Sequence, residues 1–292
     1  MPVKEVLGVV FPVFSIIAVG YLFAGFRRIS LGPVVDILLY LTIPALVVSS
    51  LSRKPLVTDD LLVISAAALV VVAGTGALSY CYLRATGRTS LRGFYLPTMF
   101  MNSGNLPFPL ALLAFGADGL TAAVIYYIAV SLLVYSVGIF IAKGRGGFSE
   151  IFRLPLIYAA AIGIGLNLGR VDIPGPLLTA FDMLGTATIP MMQVALGVRL
   201  HSVRLAYPGM SIAGSIIRLG GGFLIGLAFV RLLGVEGANA KVIILSSAMP
   251  AAVINFIVSH RYDVQGDLVA SVIGLSTLAS LVTIPLVLIF LM

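Results

Sequence analysis

The stretch Asn102-Ser103-Gly104-Asn105-Leu106-Pro107-Phe108-Pro109 gathers groups suited to holding a ligand. Asn102 and Asn105 carry amide donors, and Ser103 adds a hydroxyl. Gly104 lets another chain segment or a ligand approach the backbone closely. Pro107 and Pro109 lack a backbone N–H and oppose a continuous helix. A second segment, Ser246-Ser247-Ala248-Met249-Pro250, places Pro250 in a comparable setting, with Asn255 shortly after it. The N-terminal end of a half-helix carries partial positive charge. An interrupted helix with asparagines at the break therefore suits an anion, a carboxylate above all, without a full positive charge. The alternative is two proline kinks whose asparagines bond only to backbone.

Both segments lie inside long apolar runs, and those runs decide what must position them. Ten read as membrane spans: 6–23, 32–51, 61–83, 93–115, 120–142, 155–168, 177–198, 209–233, 241–259 and 268–292. The chain has 292 residues, of which 60% are hydrophobic and 10% charged. A soluble domain carries about 25% charged residues, and a span needs about 20 apolar ones. A soluble enzyme, a disordered chain and a single-anchor protein are excluded. The apolar runs do not alternate with period two, which argues against a β-barrel. The expected fold is an all-α polytopic membrane protein. Cys81 reads as a small buried apolar residue, with no partner for an internal disulfide.

The net charge of +7 has a topological reading. Eleven basic residues, including Arg27, Arg28, Arg145, Arg199, Arg204 and Arg261, fall on one side of a ten-span chain. Six, including Arg53, Lys54 and Arg170, fall on the other. The richer side is expected to be cytoplasmic, which puts both termini outside. No nucleic-acid partner is expected. Within the spans, Arg218 is a functional candidate because buried charge in a bilayer is costly. It can attract an anion, pair with a carboxylate or snorkel to the cytoplasmic face. Asp36 and Asp182 open spans 2 and 7, where a carboxylate is stabilised by the helix dipole. A structural role is favoured for both over proton coupling.

The chain also repeats. Pro12, Ala18, Gly20, Arg27 and Gly32-Pro33 recur in order as Pro155, Ala161, Gly163, Arg170 and Gly175-Pro176. Asp36, Thr42, Ile43 and Pro44 recur as Asp182, Thr188, Ile189 and Pro190. Residues 1–143 and 155–292 form two halves of five spans, joined by a short cytoplasmic linker, 144–154. An odd number of spans per half makes the repeat inverted, an architecture of secondary transporters. Spans 4 and 9 then break at corresponding places, the usual position of a transporter's binding site.

The segment Asn102-Ser103-Gly104-x-x-Pro107-x-Pro109 resembles the Asn-x-Gly-x-x-Gly-x-Pro stretch of the auxin efflux carrier family, which includes plant PIN transporters and bacterial malonate- and malate-type permeases. Ala248-Met249-Pro250 with Asn255, and Ser276-Thr277 with Ser280, Thr283 and Pro285, resemble its last two spans. Pro107 stands where the family more often has glycine, and the long loop of plant members is absent. The resemblance implies a short prokaryotic cell-membrane member with a bile-acid-symporter-like fold. It implies a scaffold of spans 1, 2, 6 and 7, and a transport domain of spans 3–5 and 8–10. Helices 4 and 9 would cross at Pro107 or Pro109 and Pro250. It further implies elevator-type transport of a small organic anion by a homodimer. Asn102 and Asn105 are carried over as carboxylate donors, with Ser103, Gly104, Met249, Asn255, Tyr126 and Tyr127 as further site residues.

The leading expectation is a secondary transporter of a carboxylate, auxin-like or a dicarboxylate such as malonate or malate. An anion channel or receptor is the alternative. No nucleotide-binding loop, metal motif or nucleophile-base pair is present, so neither a nucleotide-driven pump nor an enzyme is expected. No cofactor is expected. Coupling to sodium, to protons or to membrane potential alone stays open.

Overall fold

The computed structural model describes residues 2–27, 30–53, 56–144, 148–202 and 205–292. Arg28, Lys54, Arg145 and Arg204 of the charge balance, and residues 145–147 of the linker, lie outside the described residues. The described elements are helical. They are α1 (Pro2–Phe26), α2 (Gly32–Ser52), α3 (Thr58–Ala85), α4 (Tyr95–Met99), α5 (Pro107–Lys143) and α6 (Pro155–Leu168), followed by α7 (Gly175–His201), α8 (Pro208–Leu233), α9 (Gly237–Ser247), α10 (Ile254–Arg261) and α11 (Gly266–Leu291). A single turn, Phe148–Ile151, precedes α6.

Seven of these, α1, α2, α3, α5, α7, α8 and α11, are long and apolar enough to cross a membrane, and α6 is apolar but shorter. Large apolar side chains such as Phe11, Leu69, Met183, Leu224 and Val282 stand exposed on their outer faces. Such a surface is costly in water and natural in hydrocarbon. Cys81 is exposed and so differs from the buried position expected of it. The apolar run around it faces outward as well as inward, and periodicity alone does not say which.

Local chemistry sets the ends. Pro107, Pro155 and Pro208 open α5, α6 and α8, where a missing N–H costs nothing. Gly144 and Gly234 close α5 and α8 in the left-handed conformation, which glycine adopts freely. Within α5, Gly116 has φ 70° and ψ −160°, so the helix turns sharply there, between the expected spans 93–115 and 120–142. Three helices contain a wide π-turn: Leu38–Thr42 in α2, Val134–Gly138 in α5 and Ile217–Gly221 in α8. Such turns locally redirect side chains and recur at functional positions.

The helices pack in two groups. In one, α1 lies along α7, and α2 packs on α6 and α7. Gly20 of α1 rides directly on the Val194 backbone of α7, and Gly163 of α6 meets Val48 and Leu51 of α2. In the other, α3 packs on α4, α5 and α8, α9 packs on α5 and α8, and α8 packs on α11. The broken segments belong to this second group.

Candidate functional site

The helical path stops after Met99 and resumes at Pro107, and it stops again after Ser247 and resumes at Ile254. The two unwound segments meet. Met101 and Ala251 form an antiparallel bridge. The Asn102 amide donates to the Pro250 carbonyl at 2.7 Å, and the Ala252 amide to the Phe100 carbonyl at 3.1 Å. The Asn255 side chain donates a second bond to that Phe100 carbonyl, at 2.8 Å. The Ala251 amide donates to the Ser276 hydroxyl of α11, at 3.2 Å. Backbone groups that each break releases are thus partly re-paired across the pair, as a low-dielectric setting requires.

A cavity of about 670 Å³ begins at the first break. Asn102, Ser103, Gly104 and Asn105 form its inner wall, together with Tyr127, Ser131 and Met192. It runs past Tyr40 and Tyr135 to the start of α2 (Leu31), the start of α6 (Leu154, Pro155) and the ends of α7 and α10 (Arg199, His260, Arg261). These helix ends belong to the side richer in basic residues. The wall is mostly apolar, with its polar groups concentrated at the break and at the mouth, as in many small-molecule sites.

Asn102 is only 4% exposed. Its Oδ1 accepts the Asn105 amide at 3.1 Å, and this turn fixes the side chain. Its Nδ2 has no hydrogen-bond partner among the described residues. A buried donor without a partner is costly. Gly104 passes so close to α7 that a Cβ there would stand 2.9 Å from the Met192 methyl and 3.2 Å from the Tyr127 ring. The Tyr127 ring is itself set edge-on to Phe108, at 5.2 Å between centroids.

Backbone donors at the start of α5 are scarcer than the helix-dipole argument suggests. Pro107 and Pro109 have none, and the Phe108 amide is bonded to the Gly104 carbonyl at 3.1 Å. Side-chain amides and hydroxyls carry the polarity instead.

The remaining sequence candidates stand outside the cavity. Met249 and Asn255 are fully buried behind the break, as is Tyr126. The Tyr126 hydroxyl shares a hydrogen bond with the Ser247 hydroxyl at 3.0 Å. Tyr126 and Tyr127 are neighbours on one helix, and a step of about 100° per residue turns only the second toward the cavity. Pro250 supplies the carbonyl that Asn102 uses. Asp36 is exposed on α2, and Asp182 of α7 pairs with Arg53 at the end of α2, at 2.6 Å. Arg218 neither snorkels nor pairs with a carboxylate among the described residues. It is fully buried, donating from Nη1 to the Thr98 and Met99 carbonyls at 3.0 and 2.9 Å, and from Nη2 to the Ser247 carbonyl at 2.9 Å.

Sequence reasoning passed over the cavity mouth. Arg199 and Arg261 counted only as topology markers. The Arg199 guanidinium lies 4.2 Å from the centre of the Phe256 ring, a cation–π contact between α7 and α10. A signal was present: Arg199 and Arg261 each end an apolar span. Among the described residues, no group of three or more His, Cys, Asp or Glu side chains is placed to hold a metal ion.

Residues 148–288 match a family model described as "membrane transport protein". An uncharacterized transporter of Methanothermobacter thermautotrophicus is 29% identical over 264 residues, covering 86% of this chain and 85% of its own. Another uncharacterized transporter, from Methanocaldococcus jannaschii, is 29% identical over 208 residues, 67% of each chain. These matches support a membrane transporter of the auxin efflux carrier family. Together with the seven long apolar helices, they support a multi-pass membrane transport protein.

Proposed function

We propose that this chain is a secondary transporter of the auxin efflux carrier family that carries a small organic anion, whose carboxylate is received by Asn102 and Asn105. The observation that carries this reading is Asn102, which lines a 670 Å³ cavity and whose buried Nδ2 has no partner among the described residues. Ser103 adds a hydroxyl, and Arg199 and Arg261 give the mouth positive charge that draws anions inward. Tyr40, Tyr127, Tyr135 and Met192 offer apolar contact to the body of the substrate. An auxin-like carboxylate with an apolar body fits this lining better than malonate or malate, whose second carboxylate would leave the asparagines for the arginines at the mouth.

In this reading the ten spans form two inverted halves, 1–143 and 155–292, with helices crossing at the paired breaks. The matched approaches of Gly20 to α7 and Gly163 to α2 support the repeat. Helices α1, α2, α6 and α7 are the scaffold. The remaining helices from α3 onward are the transport body, which carries both breaks and slides against the scaffold. The cavity lies between the two groups and opens to the basic, cytoplasmic side, with both termini outside. The packed bridge behind Asn102 favours a carrier over a channel. The family resemblance supports a homodimer in a prokaryotic cell membrane. Met249, Asn255 and Tyr126 support the break rather than touch substrate.

Proteoliposome flux with a panel of mono- and dicarboxylates tests the substrate class. Saturable counterflow is expected of a carrier, and linear flux without counterflow would replace it with a channel. In a Cys81→Ser background, Ala195→Cys on the cavity wall should react with a membrane-impermeant thiol reagent from the cytoplasmic side. Labelling only from outside would reverse the orientation.

A further inference from the structure

Arg218 poses a question that anion recognition does not answer. A cation buried in a membrane protein is costly unless its donors are used and its charge is balanced. Among the described residues no carboxylate pairs with it. Its partners are three backbone carbonyls at two helix ends. Thr98 and Met99 close α4, and Ser247 closes α9. The last carbonyls of a helix have no partner inside the helix, and that end carries partial negative charge. Both half-helices therefore point their negative ends at one spot from the two sides of the paired breaks. Carbonyls from interrupted helices are what coordinate a coupling cation in transporters with broken helices.

The spot is built around the guanidinium. Arg218 sits on the π-turn of α8, which shifts its side chain toward the breaks. Gly222, one turn on, leaves the space: a Cβ there would collide with Arg218 Nη2 and the Ser247 carbonyl. Gly226 gives the same close approach to Ser247. The Ser247 hydroxyl is held by Tyr126, and the Ser79 hydroxyl donates to that of Thr98 at 2.7 Å. The carbonyl cluster is thus fixed from both sides.

We infer that Arg218 is a tethered cation that permanently fills a site which the carbonyl ends of the two broken helices would otherwise offer to an exchangeable monovalent ion such as sodium. Arg218 is a positioning residue: it locks α4 to α9, sets the register of the bridge behind Asn102, and touches no substrate. The transport body needs no sodium at this position. Emptying the site creates a dependence on an added cation that the native protein lacks.

The test uses the full-length protein purified in detergent, with thermal stability as the readout. Arg218→Ala is expected to lower Tm by roughly 10 °C, from the loss of a buried charged hydrogen-bond set. Millimolar ethylguanidinium should recover most of that loss, and neutral ethylurea none of it. Replacing N-methylglucamine chloride with sodium chloride should raise the Tm of Arg218→Ala and leave the native protein unmoved. Equal rescue by ethylurea, no rescue by either compound, or a sodium-specific rise in the native protein would each overturn the inference. If Arg218→Ala does not fold, Arg218→Lys and Arg218→Met decide. The lysine variant, which keeps a cation, should be the more stable, and the reverse order overturns the inference.

Discussion

The two unwound segments lie side by side in an antiparallel bridge, yet their chemistry is opposite. The first, 100–106, puts Asn102, Ser103 and Asn105 on the cavity wall and leaves one amide group without a partner among the described residues. The second, 248–253, is made of Ala248, Met249, Pro250, Ala251, Ala252 and Val253. Its polar neighbour Asn255 lies outside the cavity. The Asn255 Nδ2 donates to the Phe100 carbonyl, and its Oδ1 has no partner among the described residues. The backbone of the segment bonds to Asn102 and Ser276. In the proposed reading, one break receives the substrate and the other holds the first break in place. Two similar interruptions need not contribute equally to a site, because paired backbones let one strand supply support while the other presents side chains.

Substitutions can break or sharpen that division. Asn102→Asp should have the largest effect. It keeps the acceptor that orders Asn105 but replaces the free donor with a like charge, so saturable uptake of an anion should disappear while Tm stays near native. Native uptake in this variant would remove Asn102 from the site. Tyr127→Ala should come next, lowering apparent affinity by about tenfold, or about 1.4 kcal/mol, as the cavity wall opens beside Gly104; a titration of uptake rate against substrate measures it. Asn255→Ala tests the supporting break. It removes a buried bond worth about 1 kcal/mol, so Tm should fall by a few degrees with a smaller loss of affinity. A loss of binding with unchanged Tm would make Asn255 a wall residue after all. Tyr126→Phe should do least, costing at most about 1 kcal/mol of stability and leaving uptake unchanged, in contrast to its neighbour.

Much of this was readable from residue order. The apolar runs marked the helices, because nothing else in the chain is long and apolar enough to be them. Pro107 and Pro250 marked the breaks, because proline inside an apolar run removes a helical hydrogen bond that hydrocarbon does not replace. What residue order hid was direction. Tyr126 and Tyr127 are chemically alike, and only the packing of α5 on α9 tells them apart. Arg218 looked like an isolated charge because its partners are backbone carbonyls, which leave no mark in a sequence. Arg199 and Arg261 were hidden by their usefulness as topology markers, a role compatible with lining a cavity mouth. Cys81 misled in the same way, since an apolar neighbourhood in a bilayer is as much outside as inside.

The prolines that open α5 have a consequence for how such a protein can change over time. With Pro107 and Pro109 in the first turn and the Phe108 amide already engaged, that turn contributes almost no fixed donors. The polarity there comes from exchangeable side chains on a backbone frame. On the proposed reading, a lineage could change its cargo by replacing one or two residues in 102–105, and two chains with the same fold and the same breaks could carry different anions.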